Sequence, residues 1–429
     1  MKRSPIRADW PFDVRGSPFF YGWAIAAFST LGFWMSIPGQ TMGAAVFTDQ
    51  FIDAFGLSRT QLSVAYLFGT VGSALLLTTA GRLYDRVGAR VTIAVASVAL
   101  GLFLVWLTFI DRIATGFAAF PLVLFGYFGI RLSGQGVLTS ASRNVLLVWF
   151  ESRRGLVSGI RGVFVSLGFS LAPLPLVWAI SEWGWRGALW GLAALVGLGF
   201  SLLAIAFVRD SPSECGLLPD GVSAARPEEA RRRPPSVTLA RARRDPVFWL
   251  HSLSLANHSL FGTAVTFHIV AIFSEAGRSS AEAFGYFFPM ALVSTSVNLT
   301  GSWLSDRMPL KPFLQTMLVA FMVGASGLLR LDDPWGYALL VIGFGAGGGL
   351  WGVLSNLSFV RFFGPAHLGE VSGLNASVTV FASAIGPVLF SLSADWVGSY
   401  RAAAWLCLVC LAGLFIASIV IAQVEPEPE

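Results

Sequence analysis

The sequence predicts an all-α membrane protein: twelve transmembrane helices arranged as two six-helix pseudo-repeats. Three observations carry that expectation. Apolar residues fill 55% of the 429 positions and charged residues only 12%, with a mean hydropathy of +0.69; a soluble domain holds about a quarter charged residues. The apolar residues gather in runs of about 20, the length that crosses a hydrocarbon layer. These runs are continuous rather than alternating with period two, which points to helices and away from a barrel. Finally, pieces of the first half of the chain return in the second.

In order, the first six spans fall near 19–47, 59–80, 91–110, 117–148, 155–178 and 187–208. Six more fall near 247–273, 283–304, 312–329, 337–360, 372–393 and 402–423. Span one is interrupted by Pro38-Gly39, which loosens the helix and frees backbone groups for Gln40 or a substrate to satisfy. The start, Met1 to Ser17, carries Lys2, Arg3, Arg7 and Arg15 and is followed by an apolar block too long for a signal-peptide core. The expected division is a tail at 1–18, a first half at 19–208, an Arg/Pro-rich linker at 209–245, a second half at 246–424 and an acidic tail at 425–429. With both termini cytoplasmic, 20 of the 29 Lys+Arg lie on the inner side, eight of them in the linker (Arg231-Arg232-Arg233-Pro234-Pro235 among these). That is a positive-inside bias and it sets the orientation in a cell membrane. It also accounts for the net charge of +5 without nucleic acid.

Val157-Ser158-Gly159 recurs as Val371-Ser372-Gly373, and each copy is followed by a proline and then an arginine-bearing exit, at Arg186 and Arg401. Asp85-Arg86 with Arg90 is echoed by Asp306-Arg307 with Lys311, the cation five residues past the acid in both. Two duplicated halves place a binding site near the midplane. The run Gly81-Arg82-Leu83-Tyr84-Asp85-Arg86-Val87-Gly88-Ala89-Arg90 resembles the loop signature of the major facilitator superfamily, and together with the spans and the repeat the resemblance covers nearly the whole chain. It implies alternating access by two rocking halves. It also implies a gating role for Gly81, Asp85, Arg86, Gly88 and Arg90 and for their echo Asp306 and Arg307, with Asp85 meeting the inner N-terminus of helix eleven. In the echo, Ser302 stands where the glycine aligns and Gly301 is one place earlier. Phe20-Tyr21-Gly22-Trp23, Trp149 to Leu156 and His268 resemble the monocarboxylate porter and oxalate–formate antiporter branch. That branch carries an arginine eight residues before the second loop aspartate; here the position is Asn298, which donates hydrogen bonds but supplies no charge.

Three arginines, Arg131, Arg143 and Arg161, lie inside spans, whereas all 24 Asp+Glu fall in loops or tails. A charge at bilayer depth costs roughly 3 kcal/mol or more and faces a bundle interior or an aqueous path. An all-cationic interior points to anions and away from cationic drugs. Arg131, near the middle of helix four with Gln135 one turn on, is the leading candidate for a carboxylate clamp; its structural alternative is bonding to helix-one carbonyls. Arg143 and Arg161 sit under two turns from the cytoplasmic ends, where they either snorkel or line a vestibule. Further candidate binding residues are Gln40, Tyr66, Asn298 and Asn356. Without acids in the spans, a proton must travel on histidine, and His258 and His268 are the candidates. Gly343 to Gly349 reads as a helix-packing stretch, not a phosphate loop.

The expected function is therefore secondary active transport of a small organic anion, a monocarboxylate first, with a proton as the candidate coupling ion. The rival is export of neutral or hydrophobic compounds with the buried arginines structural. No enzyme chemistry, cofactor or metal site is expected; Cys407 and Cys410 read as packing. The expected partners are the substrate anion and the lipid bilayer, with the monomer as the working unit.

Overall fold

The computed structural model describes residues 6–221 and 236–423. Lys2, Arg3, the Arg231–Pro235 cluster and the acidic 425–429 tail lie outside them. All regular elements among the described residues are helical. Helix α1 begins at Gly22–Met35 and continues in three short pieces, Ile37–Gly39, Thr41–Val46 and Thr48–Phe55. Then come α2 (Arg59–Val87) and α3 (Ala89–Leu107). Helix α4 is one pass in three segments, Phe120–Ile130, a π-helical stretch Arg131–Leu138, and Thr139–Trp149. Helix α5 starts as Arg154–Leu171 and runs on to 183, and α6 follows from 185 to 207. The second set is α7 (Pro246–Glu275), α8 (Phe287–Ser305), α9 (Leu310–Leu329), α10 (Pro334–Phe363), α11 (Leu368–Val397) and α12 (Arg401–Val420).

Nine described helical runs are long and apolar enough to cross a membrane by themselves, and the shortfall from twelve has local causes. The run 154–207 is two passes, turned at Gly184, whose φ of +66 is open to glycine. Helix α1 is broken after Met35, and α8 is diluted by Ser294, Ser296, Asn298, Thr300 and Ser302. Helix starts follow ordinary capping rules. Ser58 and Gln61 form a reciprocal capping box on α2, and Asp245 with Pro246 opens α7. Large apolar side chains such as Leu75, Leu198, Phe267, Trp335 and Trp396 remain exposed, as lipid-facing surfaces require.

Two compact units divide the chain. Unit one holds residues 1–152, 163–236 and 365–377; unit two holds 153–162, 237–364 and 378–429. The first turns of α11 thus pack in unit one and those of α5 in unit two. Small residues set the close approaches within each. In unit one, a Cβ on Gly101 of α3 would lie 2.9 Å from Gly197 Cα of α6. In unit two, a Cβ on Gly343 of α10 would lie 2.2 Å from Gly324 N of α9, so the glycine-rich stretch serves helix packing.

Unit one also fastens the N-terminal segment. Arg90 and Arg209 are each 1% exposed. Arg90 donates to the carbonyls of Arg7 (3.1 Å), Trp10 (2.6 Å) and Ile205 (2.6 Å). Arg209 donates to Ala8 (2.8 Å) and Phe12 (3.2 Å), and the two guanidiniums lie over the rings of Trp10 and Phe12. The Arg90 backbone N–H is held by Asp210 Oδ1 at 2.7 Å. Arg90, expected as a gating cation, is instead an anchor for this strap, because backbone carbonyls consume its donors.

Candidate substrate site and gate

The break in α1 governs the first cluster. With Pro38 in the chain and the helix interrupted, the Gly39 carbonyl loses its helical partner and turns toward α4. There Arg131, 2% exposed, donates from Nη1 to Gly39 O and from Nε to Thr70 Oγ1, both at 3.1 Å. Its guanidinium also lies 5.0 Å from the Tyr66 ring centroid, and Tyr66 Oη donates to Thr41 Oγ1 at 2.8 Å. Glycines permit the approach: a Cβ on Gly134 would stand 2.9 Å from Gly39 Cα. The expected Arg131–Gln135 clamp is therefore not formed. Arg131 points at α1 and α2 and satisfies the backbone that Pro38-Gly39 frees, while Gln135 sits on a partly exposed face.

Along that face run Gln135, Thr139 and Arg143, four residues apart and all partly exposed. Gln40 reaches across from α1, its Nε2 donating to Thr139 Oγ1 (3.2 Å) and Ser36 Oγ (3.1 Å). Arg143 has no hydrogen bond, ion pair or ring contact with any described residue. A guanidinium so placed has five donors and a full charge, and none of the described residues answers either.

Unit two uses its amides between helices. Asn298 Nδ2 donates to Gly349 O at 3.0 Å, joining α8 to α10. Asn356 Oδ1 accepts from Arg161 Nη2 at 2.6 Å, and its Nδ2 donates to Gly352 O at 2.6 Å. Arg161 is 4% exposed and bound to α10, so it does not snorkel. His268 Nε2 lies 2.9 Å from Pro387 O and 3.3 Å from Ser391 Oγ. His258 stacks on Phe321 with centroids 4.5 Å apart.

Two carboxylates cap two helices in the same way. In unit one, Asp85 Oδ1 and Oδ2 accept from the backbone N–H groups of Gly369 and Glu370, both at 2.8 Å, at the start of α11. In unit two, Asp306 Oδ1 and Oδ2 accept from Gly155 (2.7 Å) and Leu156 (2.9 Å) at the start of α5. Negative charge at a helix N-terminus meets both the dipole and unsatisfied N–H groups. Gly81 lets α2 lie against α11, where its Cβ would be 2.0 Å from Gly369 O. In the second copy Ser302 faces α5, and Gly155 and Gly159 give it room; Gly301 points instead at Leu350 and Val353 of α10. A Cβ on Gly88 would strike Asp210 Oδ2, so that glycine belongs to the turn beneath α3.

A model of the Major Facilitator Superfamily matches residues 19–387. The chain belongs to that superfamily. As a major facilitator protein it is a multi-pass membrane transporter of a small-molecule substrate, not an enzyme. It is 28% identical over 165 residues to the hexuronate transporter of Bacillus subtilis (strain 168), a match covering 38% of this chain and 36% of that relative's length. Among solved structures it is similar to the proton:xylose symporter XylE (TM-score 0.70, 14% identity, 94% of this chain and 96% of that one). It is also similar to the fucose:proton symporter FucP of E. coli (TM-score 0.67, 16% identity, 95% and 100%). At these identities the two structures speak for the fold alone.

Several residues of this transporter were not singled out from sequence. Arg361 of α10 is a cation at Asp306: it lies 3.9 Å from Oδ1 and also donates to the Met308 carbonyl at 3.2 Å. Arg307 folds back over its own Trp303 ring, and Arg86 projects from α2 without a hydrogen-bond partner among the described residues. Beside Asp85, Glu370 pairs with Arg82 (3.6 Å) and His367 (3.3 Å). Asn144 Nδ2 donates to Ser372 Oγ at 3.0 Å. His251, 1% exposed, is held between Ser358 Oγ and Gln423 Oε1. The one available signal was the repeat, since Ser372 belongs to the recurring Val-Ser-Gly.

Proposed function

We propose that the transporter carries a small organic monocarboxylate by alternating access, with a proton as the coupling ion, in the cell membrane with both termini cytoplasmic. The carrying observation is Arg143, a cation at membrane depth that no described residue answers. A carboxylate supplies what it lacks, two coplanar acceptors and a negative charge. One turn away, Thr139 and the Gln40 amide, whose donors are already bonded to Gly134, Ser36 and each other, offer acceptors about 6 Å along the helix. That spacing suits a hydroxylated acid, with its carboxylate on Arg143 and its hydroxyls on Thr139, Gln40 and Gln135. The named substrate class of the Bacillus subtilis relative, a hexuronate, has that form, and the Phe20–Trp23 and Trp149–Leu156 motifs support the monocarboxylate porter branch.

In this reading Arg131 and Tyr66 hold the broken α1 in place beneath the site, and Asn298 and Asn356 set the spacing of α8, α10 and α5. The two halves 19–208 and 246–424 rock about it, and the capped starts of α11 and α5, at Asp85 and Asp306, are the contacts that release and re-form. A thermal-shift series on the purified full chain tests the substrate class. D-Glucuronate, D-galacturonate and L-lactate should raise the melting temperature, while D-glucose and D-xylose should not. Equal stabilisation by the neutral sugars, or by lipophilic compounds alone, would sink the anion reading.

A further inference from the structure

We propose that His258 is the proton-binding group of the transport cycle and that His268 and His251 are not. This rests on the reading of the chain as a proton-coupled anion carrier and names the residue that does the coupling. All three histidines lie on α7, and their surroundings separate them. His251 is fully engaged, Nδ1 with Ser358 Oγ at 2.9 Å and Nε2 with Gln423 Oε1 at 3.1 Å. His268 places Nε2 against the Pro387 carbonyl, an acceptor only, so that nitrogen keeps its hydrogen; Nδ1 retains its lone pair, but the ring is held as a tie between α7 and α11. His258 Nδ1 is buried, and neither ring nitrogen makes a hydrogen bond with any described residue.

A buried ring nitrogen without a partner carries a desolvation cost that a purely structural histidine avoids. What surrounds it favours a transient cation. The imidazole lies on Phe321 of α9 at 4.5 Å and 18°, and Trp351 of α10 stands 5.3 Å away. The Trp351 indole N–H donates to Leu255 O at 3.1 Å, which fixes that ring relative to α7. The face of Phe321, with the tilted Trp351 ring beside it, stabilises an imidazolium without a permanent counter-charge. No charged side chain lies at that depth: α9 carries only Lys311, α10 only Tyr337 and Arg361 and α11 only Glu370 and Asp395, all toward the helix ends, while α12 carries Arg401 at its start and the thiols Cys407 and Cys410 further along. The proton adds to whichever ring nitrogen carries the lone pair on one side of the membrane and leaves it on the other. One proton moving with one monocarboxylate transfers no net charge.

The test uses full-length protein in proteoliposomes, with D-glucuronate and L-lactate as probes, read in two modes. Exchange of labelled for unlabelled anion needs no net proton movement; accumulation against a pH difference does. For a one-to-one couple, a difference of one pH unit sustains about tenfold accumulation. Wild type and His268→Gln should accumulate about tenfold, and His258→Gln should exchange but not accumulate. Accumulation by His258→Gln at the wild-type ratio overturns the proposal, and so does loss confined to His268→Gln. Wild-type uptake without any proton movement also overturns it while leaving the anion reading intact, whereas absence of exchange of any acid by wild type defeats that reading first. Should His258→Gln lose exchange as well, His258→Asn repeats the comparison. If both fail, proton stoichiometry in wild type and His268→Gln decides: one per anion in each supports the proposal, and a fall to zero in His268→Gln refutes it.

Discussion

Replacing Asp85 with asparagine removes one acceptor and the charge while keeping the shape of the side chain. In the native protein both carboxylate oxygens accept from the first turn of α11, at 2.8 Å each. In the variant one oxygen remains, and an NH2 group is turned toward a backbone N–H, donor against donor. A charge-assisted hydrogen bond contributes about 1.5–3 kcal/mol, and a carboxylate at a helix N-terminus about 0.3–1 kcal/mol more. Asp85→Asn should therefore weaken the docking of α11 on α2 by about 2–4 kcal/mol, and local opening should rise by roughly 30- to 1,000-fold. Hydrogen–deuterium exchange of the peptide 366–375 reads that opening directly, with the peptide 153–160 as an internal control. Asp306→Asn should reverse the pattern, speeding 153–160 and sparing 366–375. If exchange at 366–375 changed less than threefold in Asp85→Asn, the cap would not be holding α11, and Asp85 would be only a surface charge at a turn.

Arg131→Gln leaves the Gly39 carbonyl without its donor and should lower the melting temperature while changing substrate affinity less than a substitution at Arg143; ligand titration alongside thermal unfolding separates the two. Arg209→Ala strips donors from the carbonyls of Ala8 and Phe12 and should release the N-terminal strap. Cys215 reports that release, because it is buried at 8% exposure and burial pushes its thiol up to about 11. Maleimide labelling of Cys215 at neutral pH should be slow in wild type and at least about tenfold faster in Arg209→Ala, since exposure restores the thiol toward its ordinary value near 8.5.

Twelve passes are legible in the sequence because hydrophobic length is a local property, and Asp85 is legible because its motif is local too. What the sequence hides are partners that have no side-chain signature. Arg131 reads as a substrate clamp until the break at Pro38-Gly39 brings a backbone carbonyl to it. Arg90 sits in a gating motif, yet its acceptors are carbonyls about 80 and 115 residues away, at positions where side-chain identity says nothing. Arg143 reads as either a snorkelling cation or a vestibule residue near the inner end of its helix, and only the packed structure shows that no described neighbour answers it. His268 and His258 look equivalent on one helix; a proline carbonyl on α11 tells them apart. The echo of the loop motif is likewise half legible, since Asp306 repeats the cap but takes a cation, Arg361, from far along the chain.

The most direct measurement is anion uptake by Arg143 variants in proteoliposomes, beside Arg131→Gln and with folding checked by thermal unfolding. If Arg143 is the anion anchor, Arg143→Gln removes a charge pair of about 2–5 kcal/mol and should cut kcat/KM for D-glucuronate by about a hundredfold, with Arg143→Lys between it and wild type. Undiminished uptake by Arg143→Gln, with loss only in a well-folded Arg131→Gln, would contradict the assignment and return the anion to Arg131.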